Sequence, residues 1–340
     1  LLLFLMSSAA ICYGQELSPD RVYPTFAVGP SGIYVSIEKQ LQVTVKSIMA
    51  GSPAAKTNLT AGDILVSAGG RSLAVADPRV PLGESVGEAE SNDGKWGLTV
   101  SRGGSIHKVT VALPVLGGYG NDWPEDCRKS ASIIRQTAEY IIKSQDDSGA
   151  YQFESGRPFR DNLQGCLASL FLLSTGDDSY LLNVKLHVQQ LSLLAETRKN
   201  AGGHVNWQLG YQGILLSEYF LRTGDRQVLP GLQELCDWCV DNQAAGGWGH
   251  GAGVGPGYVQ SGLMNHAGLP IVITLILSQE CGLKIDPQAY ANAVKLMYRM
   301  AGHGCIAYGD HRSELWWSNT NGRNAMLSCA FSLLSDVPQY

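Results

Sequence analysis

The spacing of hydrophobic positions changes character once along this 340-residue chain. Through residues 22–115, apolar and polar positions alternate in short runs: "QVTVKSI" (42–48), "DILVSAGG" (63–70), "WGLTVSRGG" (96–104) and "HKVTVALPV" (107–115). A period of two, β-branched residues and bounding Gly, Pro or Asn predict strands. Between them "SPAAKTNL" (52–59) opens with Ser as a cap and Pro in the first turn, and "GESVGEAES" (83–91) is a second short helical stretch. The pattern predicts a small, mixed, partly open β-barrel.

"VLGGYGNDWPEDC" reads as a turn-rich linker, centred on 116–126. From 127 to 340 the period becomes 3.6. Ile134, Ala138, Ile141 and Gln145 mark one amphipathic face; Val228, Leu232, Leu235 and Cys239 mark another; Ala289, Ala293, Leu296 and Met300 mark a third. Segments apolar nearly all round alternate with these, as in "NWQLGYQGILLSEYFL" (206–221) and "GLMNHAGLPIVITLIL" (262–277). Two-faced helices alternating with fully apolar ones predict a double layer of helical hairpins, an all-α (α/α) array. The turns recur too: Thr175 and Thr223, each in a Thr-Gly-Asp turn, stand forty-eight positions apart, and Gln145 and Gln243 close the amphipathic helices. About four hairpins fit by residue 335, fewer than a closed ring needs, so the array is expected to be incomplete at its C-terminal end.

Specific residues carry resemblances to known families. Gly51-Ser52-Pro53-Ala54-Ala55, Leu59, Ala61-Gly62-Asp63-Ile64-Leu65 and Gly69-Gly70 resemble a PDZ domain of the bacterial type over about residues 26–115. That resemblance implies a module adding an extended peptide as a sheet-edge strand, with a protein C-terminus seated in a nest of N–H groups. Its peptide loop would be "VGPSGIY", with Gly29, Ser31, Gly32, Ile33 and Tyr34; the usual Gly-aromatic-Gly-Phe pattern is absent. The Gln and Thr-Gly-Asp turns look like those of an α/α-toroid, as in terpenoid cyclases, protein prenyltransferases and several polysaccharide-active enzymes. The ensemble, including "ADPRVPLGESVGEAE" (76–90) and "NGRNAMLSCAF" (321–331), is similar to a bacterial family in which a PDZ module precedes a toroid.

Composition narrows the function classes. A net charge of −5 without any Lys/Arg block excludes a nucleic-acid or anionic-membrane surface. "LLLFLMSSAAICYG" (1–14) reads as the apolar part of a signal peptide, too short to span a bilayer, which predicts a secreted or periplasmic protein. Of the eight cysteines, Cys12 falls in that segment and the other seven are scattered, so no disulfide framework is expected.

Alternation of helices gathers one set of loops beside the N-termini of the apolar helices, where partial positive charge favours polar or anionic ligands. Histidines and aromatics concentrate there: His204, His250, His266, His303 and His311, with Tyr151, Trp207, Trp248, Tyr258 and Trp317, besides Asn265 and Arg323. This rim is the expected site, with carbohydrate or another polar ligand as occupant. The leading reading is a binding or scaffold protein; the rival is a hydrolase or lyase of polysaccharide using Glu154, Asp161 or Glu314 as acid and base. No cofactor or metal is expected. Asp237 and Cys239, with His303 downstream, superficially match the zinc ligands of protein prenyltransferases, but side chains two apart on a helix do not share a face. "GGWGHGAGVGPGY" (246–258) lacks the Lys-Ser/Thr of a P-loop.

Overall fold

The computed structural model describes residues 17–123, 125–152, 158–191, 202–251, 263–301, 306–309 and 321–334. The chain forms two compact units, Leu1–Gln136 and Thr137–Tyr340.

The first unit is an antiparallel sheet that does not close. Its strands are β1 (Phe26–Ala27), β2 (Ile33–Ile37), β3 (Val43–Ile48), β4 (Ile64–Ala68), β5 (Arg71–Ser72), β6 (Lys95–Arg102) and β7 (Ser105–Ala112). They run in the order β1-β2-β3-β4-β6-β7, with β5 paired to β4 alone. One helix, α1 (Arg79–Ser91), packs on β4, β5 and β6. Period-two alternation places Ile33, Val35, Val45, Trp96, Val100 and Val111 in a common core, each fully buried. The Trp96 indole satisfies its N–H by donating to Ser85 Oγ of α1 at 2.9 Å. Gly103 and Gly104 turn β6 into β7 with φ of 55° and 84°, the left-handed backbone that a two-residue hairpin needs. The Ala-Gly-Asp stretch has its own cause: the buried Asp63 carboxylate accepts from Thr60 N (2.9 Å) and from Arg102 Nε (2.6 Å) and Nη2 (2.7 Å). The Arg102 guanidinium accordingly holds the Asp63 carboxyl below its ordinary range.

Two expectations need correction here. "SPAAKTNL" forms a single 3₁₀ turn, Ala54–Lys56, although Ser52 Oγ does accept from Ala55 N. α1 begins four residues before the expected helical stretch and ends at the same residue, Ser91.

The second unit is helical. It runs from α2 (Arg128–Lys143), which begins in the first unit, through α3 (Pro158–Ser174), α4 (Leu181–Leu191), α5 (Val205–Thr223), α6 (Leu229–Asp241), α7 (Asn265–Glu280), α8 (Pro287–Ala301) and α9 (Asn321–Ser332). Helices α3, α5, α7 and α9 pack side by side in that order, while α4 touches α3 and α5, α6 touches α5 and α7, and α8 touches α7. The alternation thus does produce an inner row and an outer row. The central inner helices are buried on nearly every face; in α7 the buried run extends from Ala267 through Ser278, and α5 buries eleven of its residues. By contrast, α3 and α9 keep exposed positions such as Leu167 and Ser328. Outer helices bury a stripe, as with Leu232, Leu235 and Cys239 of α6. In α2 the stripe is Ala138 and Ile141; Ile134, expected on it, is exposed. Contact between α5 and α7 is close enough to demand glycine: a Cβ at Gly213 would lie 2.2 Å from Thr274 Cγ2, and one at Gly210 2.5 Å from Pro270 Cβ. The approach is fixed by Thr274 Oγ1 donating to Gly210 O at 2.7 Å.

Repeated side-chain bonds set the period. Both Thr-Gly-Asp turns use the same links: Asp177 N to Thr175 Oγ1 and Ser179 N to Asp177 Oδ1 in the first, Asp225 N to Thr223 Oγ1 and Gln227 N to Asp225 Oδ1 in the second. Gly176 and Gly224 supply the left-handed residue, with φ of 72° and 70°. Each recurring Gln stitches one outer helix to the next: Gln145 Nε2 donates to Asn183 O at 2.8 Å, and Gln243 Nε2 to Ala289 O at 2.9 Å.

Candidate functional site

A second pair of stitches builds the rim. Asn206 lies in the first turn of α5, and its Nδ2 donates to Gly249 O (3.0 Å) and Gly251 O (2.8 Å). Asn265 starts α7, and its Nδ2 donates to Ala307 O (2.8 Å) and Gly309 O (3.4 Å). In each case the backbone N–H takes the intervening carbonyl, of His250 for Asn206 and of Tyr308 for Asn265. His250 and Tyr308 therefore occupy equivalent places, each gripped by an asparagine through main-chain carbonyls. The residues after the two asparagines, Trp207 and His266, are equivalent as well.

Two copies of this arrangement, side by side, make a run of rings. His204 and His250 lie 5.3 Å apart between centroids; His250 stacks on Trp207 at 5.9 Å and 15°; Trp207 meets His266 at 5.1 Å; Tyr308 stands edge-on to His266 at 4.3 Å. Arg323 of α9 completes the row: it donates from Nε to Ile306 O at 2.9 Å, brings Nη1 to 3.4 Å from His266 Nε2, and has its guanidinium carbon 6.0 Å from the Tyr308 ring centre. The rings of Trp207, His250, His266 and Tyr308 are half-buried and His204 is exposed.

Burial keeps the His250 and His266 imidazoles neutral. Burial lowers His266 to about 4, helped by the positive Arg323 beside it. Burial, then the neighbouring His204, lowers His250. The Trp207 indole donates to His250 Nδ1 at 2.7 Å, which leaves the His250 proton on Nε2. At neutral pH Arg323 stands as a fixed cation beside the uncharged His266 and His250 rings. On either side of Trp207 in sequence, Asn206 Oδ1 and both amide atoms of Gln208 are buried without a hydrogen-bond partner among the described residues.

The remaining expected residues fall elsewhere. Trp248 is a core residue, 1% exposed, whose indole donates to Cys239 O at 2.7 Å; alternation brought its loop to the rim but turned its ring inward. Tyr151 is also buried, joined through Ser169 Oγ (3.1 Å) to His187 Nδ1 (2.8 Å). Asn265 is a clamp on main chain, not a ligand-facing group. Glu154, Tyr258, His303, His311, Glu314 and Trp317 lie outside the described residues, as does the side chain of Asp161. Tyr308 went unrecognised because nothing local distinguishes it; only its register with His250 does. Glu218, eleven residues after Trp207 on the same face of α5, was also missed: its half-buried carboxyl is raised by loss of solvent. Asp237 and Cys239 diverge, one exposed and accepting from Gln233, the other in the core with its thiol pushed well up by burial. The six described cysteines are free thiols.

In the first unit, Gly29–Ser31 form a 3₁₀ turn, and the loop spends its own donors: Ser31 N bonds Val28 O, and Ile33 N bonds Ser31 Oγ at 3.1 Å. Gly32 must be glycine, since its φ is 76° and a Cβ would lie 2.1 Å from Ser52 Cβ. Ser31 and Ile33 thus offer no inward N–H to a terminal carboxylate.

Residues 130–339 match a protein family described as a domain of unknown function, DUF6288. The chain belongs to that family, and the matched span covers nearly all of the helical unit. No curated protein and no solved structure matches the chain. Among the described residues, no helix is long and apolar enough to cross a membrane.

Proposed function

We propose that this member of the family is an exported two-part binding protein of the cell envelope. Its sheet unit is read as a PDZ-like module that docks an extended peptide on the edge of β2. Its helical unit is read as an α/α-toroid-like array whose rim holds an acidic saccharide. The observation that carries the second half is the ring row from His204 to Tyr308 ending at Arg323. Flat rings suit the apolar faces of sugars, neutral imidazoles and orphaned amides suit hydroxyls, and a buried guanidinium suits one carboxylate.

The test is calorimetric titration of the full chain with a uronic-acid oligosaccharide and with a neutral oligosaccharide of equal length. The acidic ligand is expected to bind at least tenfold more tightly. Trp207→Ala should weaken both ligands, whereas Arg323→Gln should erase the preference for the acidic one, a loss of about 1.4 kcal/mol for each factor of ten. Equal binding of the two oligosaccharides by the unaltered chain, or none, would remove the reading.

The rival enzymatic reading draws support from Glu218, whose carboxyl is raised by burial in the direction a general acid needs, on the Trp207 face of α5 but about 16 Å further along the helix. If it holds, the chain releases reducing ends from a polysaccharide and Glu218→Gln stops that release without weakening binding.

A further inference from the structure

The β2 edge on which a peptide would dock is already covered by the chain's own residues 17–27. Phe26 pairs with Val35 and Ala27 with Tyr34. Further back, Tyr23 N donates to Ile37 O at 2.9 Å, and Pro19 O accepts from Gln40 N at 2.5 Å. The segment thus runs antiparallel along the whole of β2, as an added peptide strand does. Its side chains reach inward too: Leu17 belongs to the buried core of the sheet, and Tyr23 and Phe26 pack against it.

The cover is weakly made. β1 is two residues long, and Pro24 interrupts the regular strand between Tyr23 and Phe26, where the bond to Ile37 O comes from Tyr23 N. Ser18–Val22, Pro24, Thr25 and Ala27 are exposed, eight of the eleven residues, which leaves Leu17 buried and Tyr23 and Phe26 half-buried. Segments with few buried contacts and a broken ladder open at low free energy. The rest of the sheet is continuous, with β2 itself paired to β3 along its full length.

Resting on the peptide-docking half of the proposed function, we infer that residues 17–27 are an intramolecular pseudo-ligand. They latch the β2 edge until an extended peptide of the same chemistry displaces them: an internal strand with an aromatic residue three positions before another and a small residue after it. A partner strand that buries more of its side chains along β2 than this largely exposed segment does has the advantage needed for exchange.

The probe is a fluorescein-labelled peptide with the sequence of residues 21–28 and valine in place of Pro24, titrated by anisotropy against the full chain. Phe26→Ala loosens the latch and should tighten peptide binding at least tenfold. The double substitution Ala27→Cys, Tyr34→Cys joins directly opposed positions; when oxidised it should abolish binding, and reduction should restore it in the same sample. That reversible arm keeps the test valid if Phe26→Ala unfolds the sheet. Equal affinity for the unaltered chain, Phe26→Ala and the oxidised double variant overturns the latch but leaves peptide docking standing. Failure of every form to bind overturns the docking reading, and the latch with it.

Discussion

Single residues of this chain show how burial selects a protonation state. His187 is 4% exposed, accepts or donates a 2.8 Å hydrogen bond with Ser169, and lies edge-on to Tyr151. Burial lowers it to about 4 from an ordinary 6.5. The folded state therefore favours the neutral ring, and the unfolded chain binds a proton more readily between those values. The resulting stability is complete above pH 6.5 and is lost as pH falls from 6.5 toward 4, by about 2 kcal/mol at pH 5. Chemical denaturation at pH 7.5 and pH 5 measures it: in His187→Gln the acid-induced loss should shrink by about that amount. An unchanged loss would show that His187 is not titrating on unfolding. The sequence offers no sign of this network, because a histidine on a helix looks alike in core and on surface until its neighbours are placed.

At the scale of elements, close packing overrides propensity. Gly213→Ala raises helix propensity by about 1 kcal/mol, yet the new methyl would meet Thr274 Cγ2 at 2.2 Å. Overpacking costs typically about 1–3 kcal/mol and more where neighbours are backbone or branched, so the variant should lose stability by about 2 kcal/mol. A denaturation midpoint at or above that of the unaltered chain would mean that α5 and α7 move apart freely. Periodicity made these elements legible: strands at period two, inner and outer helices at 3.6, and the two-glycine hairpin all stand where their spacing puts them. "SPAAKTNL" misled, since Ser-Pro-Ala signals a start and says nothing about length; Thr57 Oγ1, accepting from Leu59 N and donating to Ala54 O, ends the turn at once. Ile134 misled for another reason. An amphipathic stripe predicts which face is apolar but not how far along the helix that face is covered.

Over the whole molecule, order comes from repeats that touch their neighbours. Gln145 binds the next outer helix, so its effect should stay local, as in other stacked arrays. In Gln145→Ala, hydrogen exchange should quicken at the end of α2 and the start of α4 while α6 to α8 keep their protection. Uniform quickening would mean that the helices unfold as one cooperative body. The same neighbour contacts explain how much of the site was readable. Loop composition grouped His204, Trp207, His250, His266 and Arg323, and these side chains do lie near one another because the described loops they sit in meet at one end of α5 and α7. It misassigned Trp248 and Tyr151, because a loop's position does not fix the direction of each ring. Tyr308 could have been found only by aligning Ala307-Tyr308-Gly309 with Gly249-His250-Gly251.

That alignment has an evolutionary corollary. Asn206 and Asn265 grip carbonyls and not the side chain between them, so these clamps do not themselves specify what residues 250 and 308 carry. Each is a socket with a fixed seat and an exchangeable bulb. Homologues could swap imidazole for phenol, or either for a carboxamide, and retune chemical selectivity at no expense to the frame.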